Sequence, residues 1–237
     1  EGLKTGVEYT LVETVAPDGY AITTDTTFVL NAQGKVNTAS STVSTTADGK
    51  MLVEDAKTTV KISKVNLTGD KELDGAKIEI LFKDQQGNEQ VFTSWTSNSQ
   101  TAHEVTGLKT GVEYTLRETV APDGYALTTD TKFVLKADGT INSASTTTSM
   151  TAGNKLLIED ALTNVKISKV DVADGKEIEG AIIEIYLTEG GKKEFITSWT
   201  STSTTHEVEG LKTGVEYTLV ETVAPEGYAI TTDTTFV

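Results

Sequence analysis

The chain contains no cysteine, which excludes the disulfides on which small extracellular β domains often rely to supplement a modest core. Any covalent reinforcement has to come from other side chains. Cations are scarce beside anions, 20 Lys and Arg against 35 Asp and Glu, and the formal charge of −15 argues against nucleic acid or an anionic membrane as a partner. Solubility is the simple account of that charge. No apolar run approaches the roughly 20 residues of a membrane span, and helical periodicity is nowhere sustained beyond about two turns. No signal peptide or anchor motif is visible, which says little about compartment if the chain is a segment of a longer protein. Histidine occurs only twice, as His103 and His206, and neither has metal-ligand neighbours, so no metal or other cofactor is expected.

Prolines number 3 and aromatics make up 6% of the residues, whereas Thr, Val and Ile are abundant in short alternating runs separated by Asp-Gly, Gln-Gly and Gly-Asp. That pattern predicts an all-β chain of sandwich type. The phrase LKTGVEYTLVETVAPDGY at Leu3 to Tyr20 returns almost unchanged at Leu108 to Tyr125 and Leu211 to Tyr228. VKISKV at Val60 to Val65 likewise recurs at Val165 to Val170. The spacing of roughly 105 residues is one small domain, not a solenoid unit of about 20 to 50. LVEDA (Leu52 to Ala56) and LIEDA (Leu157 to Ala161) each directly precede a copy of the VKISKV segment or its equivalent. The phase therefore gives a complete repeat over residues 58–162, the latter part of a preceding repeat over 1–57 and the first part of a following one over 163–237. The connections K-T-T and L-T-N contain neither Gly nor Pro, so neighbouring repeats are expected to be closely coupled in an elongated array.

Strand alternation in V-E-Y-T-L-R-E-T-V places Val112, Tyr114, Leu116, Glu118 and Val120 on one face. Glu118 then points inward among apolar neighbours. The same rule turns Val60, Ile62 and Lys64 inward, with Lys61 and Ser63 on the other face, and aligns Leu156, Ile158 and Asp160. A complete repeat thus carries an inward lysine near its start, an inward glutamate in the middle and an inward aspartate at its end. One account is a buried salt-bridge network, which satisfies the charges but often adds little net stability over apolar packing. The other is a covalent bond. Desolvation lowers a lysine pKa and raises a carboxyl pKa, and adjacent carboxyls resist ionising together. The neutral amine of Lys64 can then attack the protonated carboxyl of Asp160, with Glu118 shuttling the proton and one water departing.

The order inward Lys, L-D-G-A (Leu73 to Ala76), E-T-V-A-P-D-G-Y (Glu118 to Tyr125) and terminal I-E-D-A resembles the CnaB-type repeats, prealbumin-like and immunoglobulin-like β-sandwiches of Gram-positive surface adhesins and pilins. The resemblance extends over the whole chain. It implies a spontaneous intramolecular isopeptide bond between Lys64 and Asp160 with Glu118 as the catalytic residue. Many members end in Asn, so this sequence departs from the commoner pattern and is expected to release water instead of ammonia. Glu13 and Glu221 are the equivalents of Glu118, Asp55 of Asp160 and Lys169 of Lys64, and Lys169 and Asp55 have no partner within their own partial repeats.

These readings point to stalk repeats of a cell-surface protein, extracellular and anchored to the cell wall through a region outside this chain, with adjacent repeats as partners. The reaction consumes its own side chains, so the chain is not an enzyme in the turnover sense. The rival is a set of repeats that themselves bind a host protein or glycan, gaining avidity by repetition. A recurring exposed apolar patch would favour that rival. The partial repeats are expected to be completed by residues outside the chain. Head-to-tail capture, pairing Lys169 with a neighbour's Asp55, is disfavoured because residues 209–237 duplicate residues 1–29 and would compete for the same places. The acidic segment at Asn66 to Gly75 lacks the ligand spacing of a calcium loop and reads as a solvated turn. The Thr-rich runs read as ordinary strand, and Trp95 and Trp199 as packed strand residues.

Overall fold

The computed structural model describes residues 2–237, and its regular structure is almost wholly strand. It divides into two compact units. One runs up to Val65 and includes Gly69–Thr119 and Thr129–Glu159, and the other comprises Asn66–Thr68, Val120–Thr128 and Asp160–Val237. The leading residues form β1 (Glu8–Leu11), β2 (Tyr20–Ala21), β3 (Thr26–Val29), β4 (Ser44–Thr45), β5 (Met51–Leu52) and β6 (Ala56–Lys57), paired as β1 with β3, β2 with β6 and β4 with β5.

The next eight strands are β7 (Thr59–Asn66), β8 (Lys77–Lys83), β9 (Glu89–Thr96), β10 (His103–Thr106), β11 (Glu113–Val120), β12 (Thr131–Val134), β13 (Ser149–Thr151) and β14 (Lys155–Asp160). They make two four-stranded sheets in the orders β10-β7-β14-β13 and β12-β11-β8-β9. Their period-2 apolar sets explain the sandwich: Val60, Ile62, Leu156 and Ile158 from one sheet share a buried cluster with Ile78, Ile80, Tyr114, Leu116 and Phe133 from the other. Tyr114 and Phe133 are directly opposed across β11 and β12, with stacked rings 5.5 Å apart. The tyrosine hydroxyl reaches back to accept from the Lys109 N–H at 2.8 Å. Tyr9 with Lys4 and Tyr217 with Lys212 repeat that brace.

The remaining residues give β15 (Asn164–Ile167), β16 (Ile182–Glu189), β17 (Lys192–Thr200), β18 (His206–Glu209), β19 (Tyr217–Val223) and β20 (Thr234–Phe236), with β15 against β18 and a sheet ordered β17-β16-β19-β20. Two single 3₁₀ turns, Thr38–Ser40 and Ser143–Ser145, start at Asn37 and Asn142, whose side-chain oxygens accept the N–H groups of Ala39 and Ala144.

Alternation does not settle burial at two places. Ser63 lies on the face of β7 opposite Lys64 and is nevertheless wholly buried. β7 lies between β10 and β14, and its outer face is covered where Val65 bridges to Glu72 and the Ser63 hydroxyl donates to the Glu72 carboxylate. Val120, expected inward, is exposed because it is the last residue of β11, where the sheet face ends. Between β13 and β14, Asn154 occupies the left-handed region at φ 60, where the leading copy has Gly49. Its amide donates to the carbonyls of Thr59 and Gly139, and its oxygen accepts the Ile141 N–H at 2.6 Å. One side chain thereby ties the first strand, the last hairpin and the 136–141 turn.

Asn154→Ala should therefore lower unfolding free energy by about 2 to 4 kcal/mol, combining lost and orphaned hydrogen bonds with left-handed strain. Asn154→Gly, which keeps the backbone freedom, should lose less. Denaturant midpoints at constant m-value measure both.

Candidate functional site

The site begins with the two strands whose inward faces carry a charge at their ends. After Val60 and Ile62, β7 presents Lys64, and after Tyr114 and Leu116, β11 presents Glu118. The Lys64 Nζ lies 2.9 Å from the Glu118 Oε1, with side-chain exposures of 1% and 0%. Asp160 is equally buried, at the end of the β14 face that holds Leu156 and Ile158. β14 is the neighbour of β7 in the sheet order. Desolvating either charge alone costs several kcal/mol, so the contact between them is what makes their burial tolerable.

The other copies hold their equivalents in more open settings. Lys169 and Glu221 are 3.1 Å apart, with side-chain exposures of 13% and 3%, beside a groove of about 140 Å³. The second Glu221 oxygen accepts the Thr231 N–H at 2.7 Å and its hydroxyl at 3.0 Å. In the leading copy Glu13 accepts the Thr23 N–H at 2.8 Å and flanks a groove of about 380 Å³ lined by Leu11, Thr23, Leu52 and Val53. Burial, and then the charge and hydrogen bond of Glu13, push the Asp55 carboxyl above its ordinary range. The structure therefore brings together Lys64 with Glu118, Lys169 with Glu221 and Glu13 with Asp55. The orienting threonines belong to runs that read in sequence as ordinary strand, whereas Thr23 and Thr231 lie outside the strands. Their signal was a T-T-D triplet starting ten residues after each glutamate.

His103 and His206 stack on Trp95 and Trp199, with ring centroids 4.3 Å apart in both pairs. Both tryptophans are half-buried and pack against the apolar clusters. Among the described residues no group of His, Asp and Glu is arranged to hold a metal ion.

A family profile described as "SpaA: Prealbumin-like fold domain" matches residues 58–149 and again 163–237. No curated protein matches significantly. Among solved structures, the chain is similar to shaft pilin SpaA from Lactobacillus rhamnosus GG at 19% identity, covering 75% of this chain and 92% of that one with a TM-score of 0.33. It is similar to a streptococcal ancillary pilin at 20% identity, covering 97% and 70% with a TM-score of 0.35. The pilus adhesin SpaC of Lactobacillus rhamnosus GG, in its open conformation, is 18% identical over 87% of this chain and 30% of that one, with a TM-score of 0.36.

Burial pushes the Glu221 carboxyl up, but the Thr231 hydrogen bonds and the Lys169 ammonium outweigh it and hold the group below the usual glutamate range. A carboxyl depressed by folding contributes stability above its unfolded pKa, about 4.3, and that stability is lost as pH falls through the folded value. NMR titration should place the Glu221 midpoint below about 4.3, and Thr231→Ala should move it upward.

Proposed function

The chain belongs to the family of SpaA prealbumin-like fold domains, and from that premise we propose that its repeats are stalk or spacer units of a bacterial surface fibre or adhesin, each closed by a Lys–Asp amide. The observation that carries this reading is the fully desolvated Lys64–Glu118 contact. A structural protein gains little from such a pair compared with apolar packing, whereas a self-crosslinking one needs it. The burial of Asp160 and the adjacency of β7 and β14 in the sheet support the same reading.

In the proposed reaction Glu118 takes a proton from Lys64, whose neutral Nζ attacks the Asp160 carboxyl carbon. A carbon–nitrogen bond forms and a carbon–oxygen bond breaks. Glu118 passes that first proton to an Asp160 carboxylate oxygen, then takes a second from the attacking nitrogen and gives it to the same departing oxygen, so one water leaves, a neutral amide remains and Glu118 ends as the carboxylate it began as. The amide joins the first strand of the repeat to the last. Tension entering at Lys64 leaves at Asp160 without extending the residues between. Strand hydrogen bonds contribute only about 1 kcal/mol net each and break in sequence, while an amide must be hydrolysed. By analogy with a disulfide, a loop of this length adds roughly 4 to 5 kcal/mol through the unfolded chain. Cell-surface placement, with wall anchoring outside the chain, and neighbouring repeats as partners follow from the same reading.

One observation favours the adhesive alternative. Val91 and Phe92 on β9, and the equivalent Phe195 and Ile196 on β17, are exposed at the same position of each sheet edge. Two side chains per repeat make a patch well short of the several hundred Å² typical of a recognition surface, so the spacer reading is preferred.

Intact mass under denaturing conditions decides the covalent reading. The chain should be lighter by one water, and Glu118→Gln should restore the full mass while leaving the fold; full mass in the parent chain would overturn it. Pulldown by a host matrix protein or glycan that is abolished by Phe92→Ser and Phe195→Ser would favour the alternative.

A further inference from the structure

The connection between repeats is held on both sides. In the unit that contains the leading residues, β6 pairs with β2 as Tyr20 with Lys57 and Ala21 with Ala56. Thr58 follows. Its N–H donates to the Gly19 carbonyl at 3.0 Å, its carbonyl accepts the Gly107 N–H at 3.0 Å, and its hydroxyl donates to the Leu108 carbonyl at 2.6 Å. Gly19, at φ +82, lies so close to the next repeat that a Cβ there would stand 2.8 Å from the Gly107 carbonyl oxygen. Asp18 and Lys109 close the rim at 2.6 Å.

The second unit contains the same set independently. The Thr163 N–H donates to the Gly124 carbonyl, its carbonyl accepts from Gly210, and its hydroxyl donates to the Leu211 carbonyl at 2.6 Å. A Cβ on Gly124 would stand 2.8 Å from the Gly210 oxygen, and Asp123 meets Lys212 at 2.8 Å.

We propose that the Gly-Leu-Lys corner of each repeat (Gly107 to Lys109, Gly210 to Lys212) is a docking surface for the Pro-Asp-Gly turn of the repeat before it, with the connector threonine clamped between them as a latch. The partner is another copy of the same repeat. Specificity lies in the buried parts: a threonine that uses its N–H, carbonyl and hydroxyl together, and a backbone approach that only glycine permits. The Asp–Lys pairs are exposed and add orientation more than affinity. The tyrosine hydroxyl that accepts the Lys109 N–H braces this corner from the core, so the surface is preformed. The joint is independent of the amide, and it makes the connector a strand hydrogen-bonded to both repeats instead of a tether.

The absence of cysteine allows paired spin labels at Lys35→Cys and Gln86→Cys, one on each side of the first joint. Pulsed dipolar spectroscopy should give a single narrow distance in the parent and in Thr58→Ser, which keeps the hydroxyl, and a broadened distribution in Thr58→Val. Tryptic cleavage after Lys57, read by mass, should accelerate roughly tenfold in Thr58→Val, the expected consequence of orphaning the Leu108 carbonyl. A broad distribution in the parent overturns the proposal, as does a Thr58→Val chain indistinguishable from the parent in both readouts. Should Thr58→Val fail to fold, the width in the parent decides alone. Intact mass of the same samples reports the amide separately, so failure of the joint and failure of the crosslink are distinguished.

Discussion

The contact between Lys64 and Glu118, withdrawn from water, sets the terms for the sandwich. Lys64 and Glu118 sit on different sheets at the inner ends of β7 and β11, and their 2.9 Å contact requires both strands to reach that point in the right phase. Moving either strand by one residue would turn its apolar set outward and leave one charge buried without its counterpart. The interlocking of Val60 and Ile62 with Tyr114, Leu116 and Phe133 therefore serves two ends: it supplies the apolar burial that offsets chain entropy, and it aligns the charged pair. In the trailing copy the same pair is longer and less enclosed, and a threonine orients the glutamate from the side.

Cohesion is divided between two kinds of device. Within a repeat it comes from side chains that span elements, such as Asn154 linking Thr59, Gly139 and Ile141, or Ser63 linked to Glu72. At a boundary it comes from backbone approach, which tolerates almost no added atom at Gly19 or Gly124. The two meet at the Leu-Lys corner, where a core tyrosine holds the backbone on which the preceding copy's turn sits.

Much of this was legible in the chain itself. Period-2 alternation identified Lys64, Glu118 and Asp160 as inward because each continues an apolar set, and all three are buried. The burial of Ser63 and the exposure of Val120 were not legible, because alternation assigns two faces to a strand but cannot tell whether the second face is covered or where the strand leaves its sheet. Asn154 was invisible because its role depends on a left-handed backbone that glycine fills in the leading copy. Thr58 and Thr163 read as linker residues because their partners, Gly19 with Leu108 and Gly124 with Leu211, lie about 40 to 50 positions away, beyond any local pattern.

Residues 58–162 carry both halves of this joint, the receiving corner at Gly107 to Lys109 and the inserting turn at Pro122 to Gly124. Exchanging the corner or the turn of one joint for that of the other would preserve each of these hydrogen bonds, because both joints use the same threonine, glycine and leucine atoms.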